Sequence, residues 1–348
     1  MKKIKVIGGG IFGCCIASEL AKCGHEVVLI ERDSDIMQRA SKQNHNRVHF
    51  GFHYPRSVPT AKQSLDGLVS FLINFKDSIV SGFPNYYMNH KNSNVSSEEY
   101  INFCNAVGLN YDFKYPKDYL VDKREIDLSI KVNECIFDYD ILKSIVKGKL
   151  KGVDVRLNTD FDGSLDGYDY VINAAYSNIN EINDMLGAPK LKLKFQDVII
   201  PIFKMNHKKI GLTIMDGPFC SIMPRGNNEN EFLLYHPKYS VISQHSKSTD
   251  ISRDRVLDSQ KTNLLIKKIY KESEKFYPVL SSAEQRNHWR TVRALPVNND
   301  DARMSEVFVH EETPNVINVF GGKISTCWKV ASQVKSIIRN GVQKEVAV

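Results

Sequence analysis

Lys3-Ile4-Lys5-Val6-Ile7-Gly8-Gly9-Gly10-Ile11-Phe12-Gly13 is a short apolar strand that runs directly into a glycine-rich turn. An apolar run with helical character continues to Leu20, and Glu26-Val27-Val28-Leu29-Ile30-Glu31 reads as a second strand that ends in an acid. A strand, a Gly-x-Gly-x-x-Gly turn, a helix and a second strand with a terminal acid are the layout of a dinucleotide-binding unit. The opening of the chain therefore predicts a nucleotide site.

Each glycine of this turn has a physical role. Gly8 lets the chain turn sharply out of the strand, and Gly10 removes the side chain that would keep a pyrophosphate away from the helix N-terminus. Unpaired N–H groups and the helix dipole favour negative charge there. Gly13 allows the helix to pack closely on the strand, and Glu31 can accept hydrogen bonds from ribose hydroxyls while repelling a 2′-phosphate. NAD and FAD both fit this pattern, and NADP fits it poorly.

Composition places the chain among globular proteins with more than one domain. It has 348 residues, of which 42% are hydrophobic and 25% are charged, and a chain of this length usually divides into two domains or carries a large insertion. The formal charge is +7, but the lysines are dispersed, which fits a solvated basic surface or attraction to an anionic substrate. No basic motif interleaved with aromatic residues indicates nucleic-acid binding.

The cysteines and the apolar runs exclude several other classes. Seven cysteines with no Cys-x-x-Cys pair and no metal-ligand spacing argue against a disulfide framework and against a metal site. A reducing, cytoplasmic setting fits this composition. No apolar run approaches the ~20 residues that span a bilayer, although peripheral contact with a membrane stays open.

The periodicity of the rest of the chain indicates a mixed α and β protein. Helical spacing covers 60–80, a capping box at Ser96 to Glu99 starts another helix, and further helices are expected at 140–150, 253–276 and 325–338. Strand-like alternation at 191–204, 210–215 and 231–235 predicts a mostly antiparallel sheet. The polar segment 32–56 lacks an amphipathic period and is interpreted as a long functional segment.

Three further segments carry motifs. Residues 40–54 read Ala-Ser-Lys-Gln-Asn-His-Asn-Arg-Val-His-Phe-Gly-Phe-His-Tyr. Residues 171–175 are a strand that ends in Asn-Ala-Ala, and residues 315–326 are a strand that ends in Gly-Gly-Lys-Ile-Ser-Thr. A strand that ends in two glycines before a helix directs backbone N–H groups and a positive dipole end at its neighbour. Lys323 and that helix end would stabilise negative charge on a group bound there.

Together with the opening unit and its Glu31-Arg32 ending, these segments resemble the FAD-dependent oxidoreductases of the D-amino-acid oxidase superfamily. Within it, the glycerol-3-phosphate dehydrogenase and 2-hydroxyglutarate oxidase branch is the nearest. The resemblance implies FAD as the cofactor and an α/β (α+β mixed) architecture, in which a Rossmann-like FAD-binding domain is interleaved with a substrate domain built on a large, mostly antiparallel sheet. It implies the following cofactor-binding residues: Gly8, Gly10, Ile11, Phe12, Gly13, Glu31, Arg32, Ser41, Asn46, Asn173, Ala174, Ala175, Gly321, Gly322, Lys323, Ile324, Ser325 and Thr326.

The distribution of these motifs along the chain predicts discontinuous domains. We expect 1–82, 136–186 and 302–348 to form the FAD-binding domain, and 83–135 and 187–301 to form the substrate-binding domain. Nucleotide-binding features at the start, the middle and the end of the chain are the basis for this division. One departure from the family pattern is Tyr176, which stands where the family has a glycine after Asn-Ala-Ala.

The candidate catalytic residues are His49, His53, Tyr54, Arg293 and Lys323. Either histidine could act as a general base near neutral pH, and Tyr54 could position a substrate. Arg293, in Thr-Val-Arg-Ala-Leu-Pro, resembles the arginine that grips an anionic group in the same branch, a task that suits a planar guanidinium. His53 stands where the glycerol-3-phosphate enzymes carry an arginine, which puts phosphate recognition in doubt.

Weaker candidates lie on the predicted substrate sheet at Arg225 and at Tyr235-His236. The reaction expected first is removal of hydride from a CH–OH group of a small polar, anionic substrate: a hydroxy acid, a polyol or sugar phosphate, or a sugar derivative. Oxidation of a CH–N bond, as in amine and amino-acid oxidases, is the first alternative, and flavin-dependent isomerisation of a nucleotide sugar is the second. The electron acceptor, which could be oxygen, a quinone or a carrier protein, and the oligomeric state stay open, as does covalent attachment of the flavin.

Overall fold

The structure is a computed structural model that describes residues 1–251, 258–297 and 303–340. Seven α-helices occur in these ranges: α1 (Ile11–Lys22), α2 (Val58–Asn74), α3 (Ser97–Val107), α4 (Tyr139–Lys149), α5 (Ile179–Leu186), α6 (Ser259–Glu274) and α7 (Cys327–Asn340). The strands of the described residues are β1 (Lys3–Ile7), β2 (Glu26–Ile30), β3 (Arg47–Val48), β4 (Ile79–Val80), β5 (Asn85–His90), β6 (Tyr111–Phe113), β7 (Ile126–Val132), β8 (Cys135–Phe137), β9 (Asp154–Arg156), β10 (Tyr170–Asn173), β11 (Leu193–Lys204), β12 (Gly211–Met215), β13 (Ser221–Pro224), β14 (Glu231–Tyr235), β15 (Val241–His245), β16 (Glu284–Pro296), β17 (Glu306–His310) and β18 (Thr313–Phe320).

The opening unit folds as its sequence predicts. β1 and β2, which α1 connects along the chain, pair in parallel. β1 also pairs in parallel with β10, and β10 pairs in parallel with β18. The six-stranded sheet has the order β17-β18-β10-β1-β2-β9. Three segments that are far apart in sequence therefore meet in one sheet, with their carboxyl ends on the same edge.

The second sheet is larger and mostly antiparallel. Eight of its nine strands follow the order β15-β11-β14-β13-β12-β5-β7-β6, and the ninth, the long strand β16, pairs with β11 from Leu193 to Lys204. One pair departs from the antiparallel pattern, because β5 and β12 run parallel. A third, small sheet consists of β3, β8 and β4.

Each large sheet is covered by its own apolar layer. The six-stranded sheet packs against α1, α4 and α7 in a core that includes Ile4, Ile16 and Val334. The nine-stranded sheet buries a second cluster, with Phe203, Leu212 and Ile269 among its members, against α6. The mixed architecture predicted from the sequence is confirmed. The domain limits stay a prediction, although the strands of the six-stranded sheet come from 3–30, 154–173 and 306–320, all within the segments assigned to the FAD-binding domain.

Several element boundaries differ from the sequence-based expectations. The helix expected at 253–276 begins at Ser259, and positions 252–257 lie outside the described residues. The capping box at Ser96 and Glu99 is confirmed. The helix expected from Ser325 begins instead at Cys327 after a 3₁₀ turn over Ile324–Thr326, because the amide and hydroxyl of Thr326 both donate to the carbonyl of Lys323.

Candidate active site

A cavity of about 1080 Å³ lies between the two large sheets. One part is lined by the glycine turn and Glu31, and another by the segment after Ser41 and by strand β16. All five candidate catalytic residues line the same cavity: His49, His53, Tyr54, Arg293 and Lys323. Its volume reaches the upper end of the roughly 300–1,000 Å³ that small-molecule sites occupy. The predicted nucleotide site and the predicted chemistry therefore share one cavity.

The glycine turn packs too closely for any side chain at two positions. Gly8 has φ +103, and a Cβ there would lie 2.8 Å from the carbonyl oxygen of Ala174. A Cβ on Gly13 would lie 2.0 Å from the carbonyl oxygen of Gly8. At Gly10, by contrast, the nearest atom to a built Cβ is Ser41 Oγ at 3.5 Å. The turn is thus closed against β10 and open above the helix N-terminus, as pyrophosphate binding requires.

The first turn of α1 has no acidic residue and no side-chain cap at Gly10. Ser41 Oγ accepts a hydrogen bond from the Ile11 amide at 3.1 Å, which ties the polar segment to the nucleotide turn. Glu31 accepts hydrogen bonds from the amides of Gly9 at 2.6 Å and Asp33 at 2.9 Å. Burial raises the pKa of Glu31, and the two amides oppose that rise. A carboxylate held in this way can accept hydrogen bonds from ribose hydroxyls.

The Asn-Ala-Ala segment divides its tasks between structure and cavity. Asn173 Nδ2 donates to the Ile179 carbonyl and to the side chains of Asn183 and Asn318, which joins β10, α5 and β18. Ala174 and Ala175 line the cavity. Asn173 therefore holds the edge of the sheet together, and the small residues that follow it leave room beside the glycine turn.

The Gly-Gly-Lys segment is fixed by one serine that sequence reasoning missed. Ser305 Oγ accepts hydrogen bonds from the amides of Gly322 at 2.8 Å and Lys323 at 3.2 Å, and it bonds with Thr326 Oγ1 at 2.6 Å. A Cβ on Gly322 would lie 2.1 Å from the carbonyl oxygen of Arg303. No local motif distinguishes Ser305 in the sequence, because its partners are 17 to 21 residues away.

The cofactor-binding candidates separate into two groups by position. Those that line the cavity are Gly8, Gly10, Ile11, Phe12, Glu31, Arg32, Ser41, Ala174, Ala175, Gly321, Gly322, Lys323 and Ile324. Gly13, Asn46, Asn173, Ser325 and Thr326 stand behind this lining, and the last four are at most 1% exposed. The residues of the second group therefore lie in the protein interior behind the cavity lining and do not form its surface.

The two candidate histidines lie side by side. Their ring centroids are 5.7 Å apart, and each Nδ1 is buried without a hydrogen-bond partner among the described residues. His49 Nδ1 is 3.9 Å from Glu134 Oε1. Burial lowers the pKa of both histidines well below the ordinary value, and nearby cations lower it further, chiefly Lys323 for His49 and Arg47 for His53. Both imidazoles are therefore neutral at physiological pH.

Two cationic side chains line the same cavity as the histidines. Lys323 is buried, and its Nζ lies 4.0 Å from the ring centroid of Tyr54. The guanidinium of Arg293 donates to Gln196 Oε1 at 2.5 and 3.2 Å and lies 5.4 Å from the ring centroid of Tyr235. These two cations give this part of the cavity a positive potential, which favours an anionic ligand.

A buried ion pair supports the histidines from behind, and sequence reasoning missed it. Arg47 and Glu134 are almost fully buried, with a 3.3 Å contact between them. Arg47 also donates to Tyr87 and to Thr213 Oγ1, while Glu134 accepts from Tyr87 at 2.6 Å and from the Phe50 amide at 2.8 Å. Glu134 stands between two apolar strands, and an acid in that setting is the signal that could have found it.

Tyr176 keeps the backbone conformation of the glycine that it replaces. Its φ is +50, in the left-handed region where glycine is common. The ring stacks on Phe320 at 6.0 Å between centroids, and the hydroxyl accepts a hydrogen bond from the Ala294 amide at 3.2 Å. Tyr176 therefore links the end of β10 to strand β16 of the other sheet.

Of the weaker candidates, only Tyr235 lines the cavity. Arg225 pairs with Glu231 at 2.7 Å and lies 5.3 Å from the ring centroid of Trp289. His236 is buried, its amide donates to Ser240 Oγ, and burial lowers its pKa to about 4. Arg225 and His236 therefore have structural surroundings, apart from the residues that line the cavity.

Comparison with known proteins finds FAD-dependent enzymes. Residues 3–100 match the model of the DAO family, described as FAD dependent oxidoreductase. The chain is 26% identical, over 99% of its length and 88% of the relative, to the FAD-dependent monooxygenase kojA of Aspergillus flavus. Among solved structures, the glycine oxidase of Geobacillus kaustophilus has a TM-score of 0.75 at 12% identity, with both chains fully covered.

A second solved structure carries the cofactor. L-alpha-glycerophosphate oxidase of Mycoplasma pneumoniae with FAD bound has a TM-score of 0.73 at 14% identity, covering 97% of this chain and 95% of the other. Residues 3–100 thus match the DAO family of FAD-dependent oxidoreductases, and the whole chain has the fold of the two solved oxidases. FAD is the cofactor that this match supports. The open helix N-terminus at Gly10 and the carboxylate of Glu31 opposite it fit the ADP half of that cofactor.

Neither a helix that could span a membrane nor a metal-ligand cluster occurs among the described residues. No helix in them is long and apolar enough to cross a bilayer. No group of three or more metal-ligating side chains was found in the same ranges.

Proposed function

We propose that the protein removes hydride from a CH–OH group of a small polar, anionic substrate. The observation that carries this proposal is a pair of neutral histidines in ring contact, which line one cavity together with the cations Arg293 and Lys323. An alcohol loses a proton as well as a hydride, so a base is needed. FAD, when bound, accepts the hydride.

His49 is the base that the geometry favours. Glu134 lies 3.9 Å from its Nδ1, so a proton on Nδ1 faces a carboxylate and Nε2 is left to accept the substrate proton. The low pKa of the imidazole rises when an anionic substrate binds beside it, because the substrate charge offsets the charge of Lys323. His53 packs against the same ring and against Tyr54, which fixes the position of both.

Arg293 and Lys323 hold the anionic group and the negative charge that develops during the reaction. Gln196 fixes the guanidinium of Arg293 through its Nε and Nη2 atoms, and a fixed guanidinium loses little entropy when it binds a carboxylate or phosphate. Lys323 is buried, so its charge acts through a medium with little water and is screened weakly.

The name of the Aspergillus flavus relative, an FAD-dependent monooxygenase, supports molecular oxygen as the first electron acceptor to examine. Quinones and carrier proteins are the other acceptors to include. Oxidation of a CH–N bond is the competing reaction, because Arg293 would hold the carboxylate of an amino acid equally well.

An anaerobic screen separates these reactions. The purified holoprotein is mixed with hydroxy acids, polyol and sugar phosphates, sugar derivatives, amino acids and nucleotide sugars, and loss of the visible flavin absorbance is recorded. We expect bleaching by CH–OH compounds that carry an anionic group, with a ketone or aldehyde as the product. Bleaching by amino acids alone, with release of ammonia, would replace this proposal by the CH–N reaction.

A further inference from the structure

Four polar side chains form a continuous row across neighbouring strands of the nine-stranded sheet. Strand pairing sets Tyr87 of β5 opposite Thr213 of β12, Thr213 opposite Ser221 of β13, and Ser221 opposite Tyr235 of β14. Residues that are directly paired project to the same face of a sheet. A buried polar row is costly unless every member finds a hydrogen-bond partner, so the partners of this row matter.

One end of the row is satisfied within the protein. Arg47 donates to both Tyr87 and Thr213 Oγ1, and its charge is balanced by Glu134. The pKa of Arg47 stays raised although burial opposes it, because Tyr87 and Glu134 stabilise the cation. This end is therefore a closed, neutral network.

The other end of the row is left open toward the cavity. His45 covers it: Nδ1 is 3.4 Å from Ser221 Oγ, and the ring meets Tyr235 edge-on at 5.6 Å. His45 Nε2, the hydroxyl of Tyr235 and Thr291 Oγ1 on β16 are buried and have no partner among the residues that the structure describes. His45, Ser221, Tyr235 and Thr291 all line the cavity. Three polar atoms without a partner among the described residues thus belong to side chains that line the cavity.

The chemistry of these atoms selects the ligand. Serine, threonine and tyrosine hydroxyls donate and accept, and a neutral imidazole does either according to its tautomer. Burial lowers the pKa of His45 to about 3, so its ring is neutral in the working range. The side chains at this open end, those of His45, Ser221, Tyr235 and Thr291, carry no net charge. They suit hydroxyl groups, which also donate and accept, better than a second carboxylate, which only accepts.

We propose that His45, Ser221, Tyr235 and Thr291 form a subsite for hydroxyl groups, and that the substrate is a polyhydroxylated acid. This inference rests on the proposed oxidation of a CH–OH group. Arg293 lies 5.4 Å from the ring centroid of Tyr235, so a single molecule can place its anionic group at the guanidinium and its further hydroxyls along the row. Each hydroxyl supplies the partner that a buried polar atom lacks, which is the usual source of strong discrimination against an analogue without that hydroxyl.

The test compares binding of polyhydroxylated and plain acids to the holoprotein. Isothermal calorimetry under anaerobic conditions uses the stereoisomeric hexonates and pentonates, and as their counterparts 2-hydroxyhexanoate and 2-hydroxypentanoate. We expect at least one polyhydroxylated acid to bind ten-fold or more tightly than its counterpart. The Tyr235→Phe variant should reduce that advantage about ten-fold, which corresponds to the net value of one hydrogen bond, about 1.4 kcal/mol.

Tyr270→Phe is the matched control, because the hydroxyl of Tyr270 is also buried and has no partner in the described part of the chain, but lies outside the cavity lining. This variant should keep the preference of the wild type. Equal binding of both kinds of acid across the panel, or an unchanged preference in Tyr235→Phe, would overturn the subsite. A lower affinity for FAD in Tyr235→Phe would also overturn it by assigning the row to the cofactor. If plain hydroxy acids bleach the flavin as well as polyhydroxylated ones, the subsite fails while the proposed function stands; if no CH–OH compound bleaches it, the proposed function fails.

Discussion

At the scale of single residues, the site joins groups that local sequence marks with groups that it does not. His49 and His53 stand out because they lie in an unusual polar segment. Ser305 does not stand out, because its role comes only from partners that are distant in sequence. Glu134 is marked only by its place between two strands, and its hydrogen bond to the Phe50 amide spans 84 residues. Tyr176 looks like a disruptive exception in the sequence, but its left-handed backbone keeps the path of the chain.

Tyr176 provides a prediction about stability. In Tyr176→Phe the Ala294 amide loses its acceptor in a buried place, which should lower the free energy of unfolding by about 1–2 kcal/mol. Tyr270→Phe removes a hydroxyl without a partner among the described residues and should leave stability unchanged. Urea unfolding of the apoprotein measures both. Equal stability of the two variants would show that the hydroxyl of Tyr176 contributes nothing to linking the sheets.

The buried histidines predict a loss of stability in acid. Burial lowers the pKa of His45 to about 3 and of His236 to about 4, from an ordinary 6.5. Below pH 6.5 the unfolded chain therefore binds more protons than the native protein, and the free energy of unfolding falls as the pH falls. Each such histidine should contribute a slope of up to roughly 1.4 kcal/mol per pH unit between its two pKa values.

The measurement for this slope is urea unfolding of the apoprotein between pH 7 and pH 5 in the wild type and in His236→Asn. The variant should lose the contribution of one proton, while the carboxylates titrate alike in both proteins. A slope that does not change on removal of His236 would contradict a neutral, buried imidazole at that position.

At the scale of elements, the signals that the sequence carries are local ones. The capping box at Ser96 starts α3 as expected. The glycine turn leads from β1 into α1, and β2, which follows α1 in the chain, pairs in parallel with β1. The parallel pairing of β5 with β12 and the 3₁₀ turn at Ile324–Thr326 were not anticipated. Both depend on tertiary contacts: α2 crosses the 3₁₀ turn at Gly67, where a Cβ would lie 2.9 Å from the Thr326 Cα.

Close packing of α1 gives a prediction at this scale. Gly13→Ala would place a methyl group 2.0 Å from the carbonyl oxygen of Gly8, so α1 must move away from β1 and the nucleotide turn must deform. FAD affinity should fall at least ten-fold, as measured by quenching of flavin fluorescence. Gly148→Ala in α4 is the control, since nothing lies within 4 Å of its Cβ. It should bind FAD normally and gain about 0.5–1 kcal/mol of stability. Normal FAD binding by Gly13→Ala would contradict the close packing.

At the scale of the whole molecule, the sequence predicts which segments meet but not how the strands align. Motifs at 8–13, 173–175 and 321–323 return to one sheet edge, as expected of an FAD site assembled from distant segments. The polar row from Tyr87 to Tyr235 could not be foreseen, because it exists only through the register of four strands that are scattered over about 150 residues. The site between the sheets is a property of that register.

A cofactor bound between two sheets should stabilise the whole molecule. FAD contacts the native cavity and finds no such site in the unfolded chain, so binding adds to the free energy of unfolding. At a free concentration of 100 times Kd the gain should be about 2.7 kcal/mol. Thermal unfolding with increasing FAD measures it, and ADP, which occupies only the nucleotide end, serves as the partial ligand. A melting temperature that does not respond to FAD would contradict the assignment of the cavity.

We propose that the neutral His49 takes the hydroxyl proton of an alcohol in this cavity while the alcohol loses hydride. The most direct measurement is the rate of flavin bleaching under anaerobic conditions by the best CH–OH substrate, compared between the wild type, His49→Asn and His207→Asn. His207 bonds with Tyr119 and lies outside the cavity lining, so its variant should react like the wild type. We predict that the flavin of His49→Asn bleaches roughly 10²–10⁴ times more slowly than that of the wild type, while the variant still binds FAD. Bleaching by His49→Asn at the wild-type rate would contradict it.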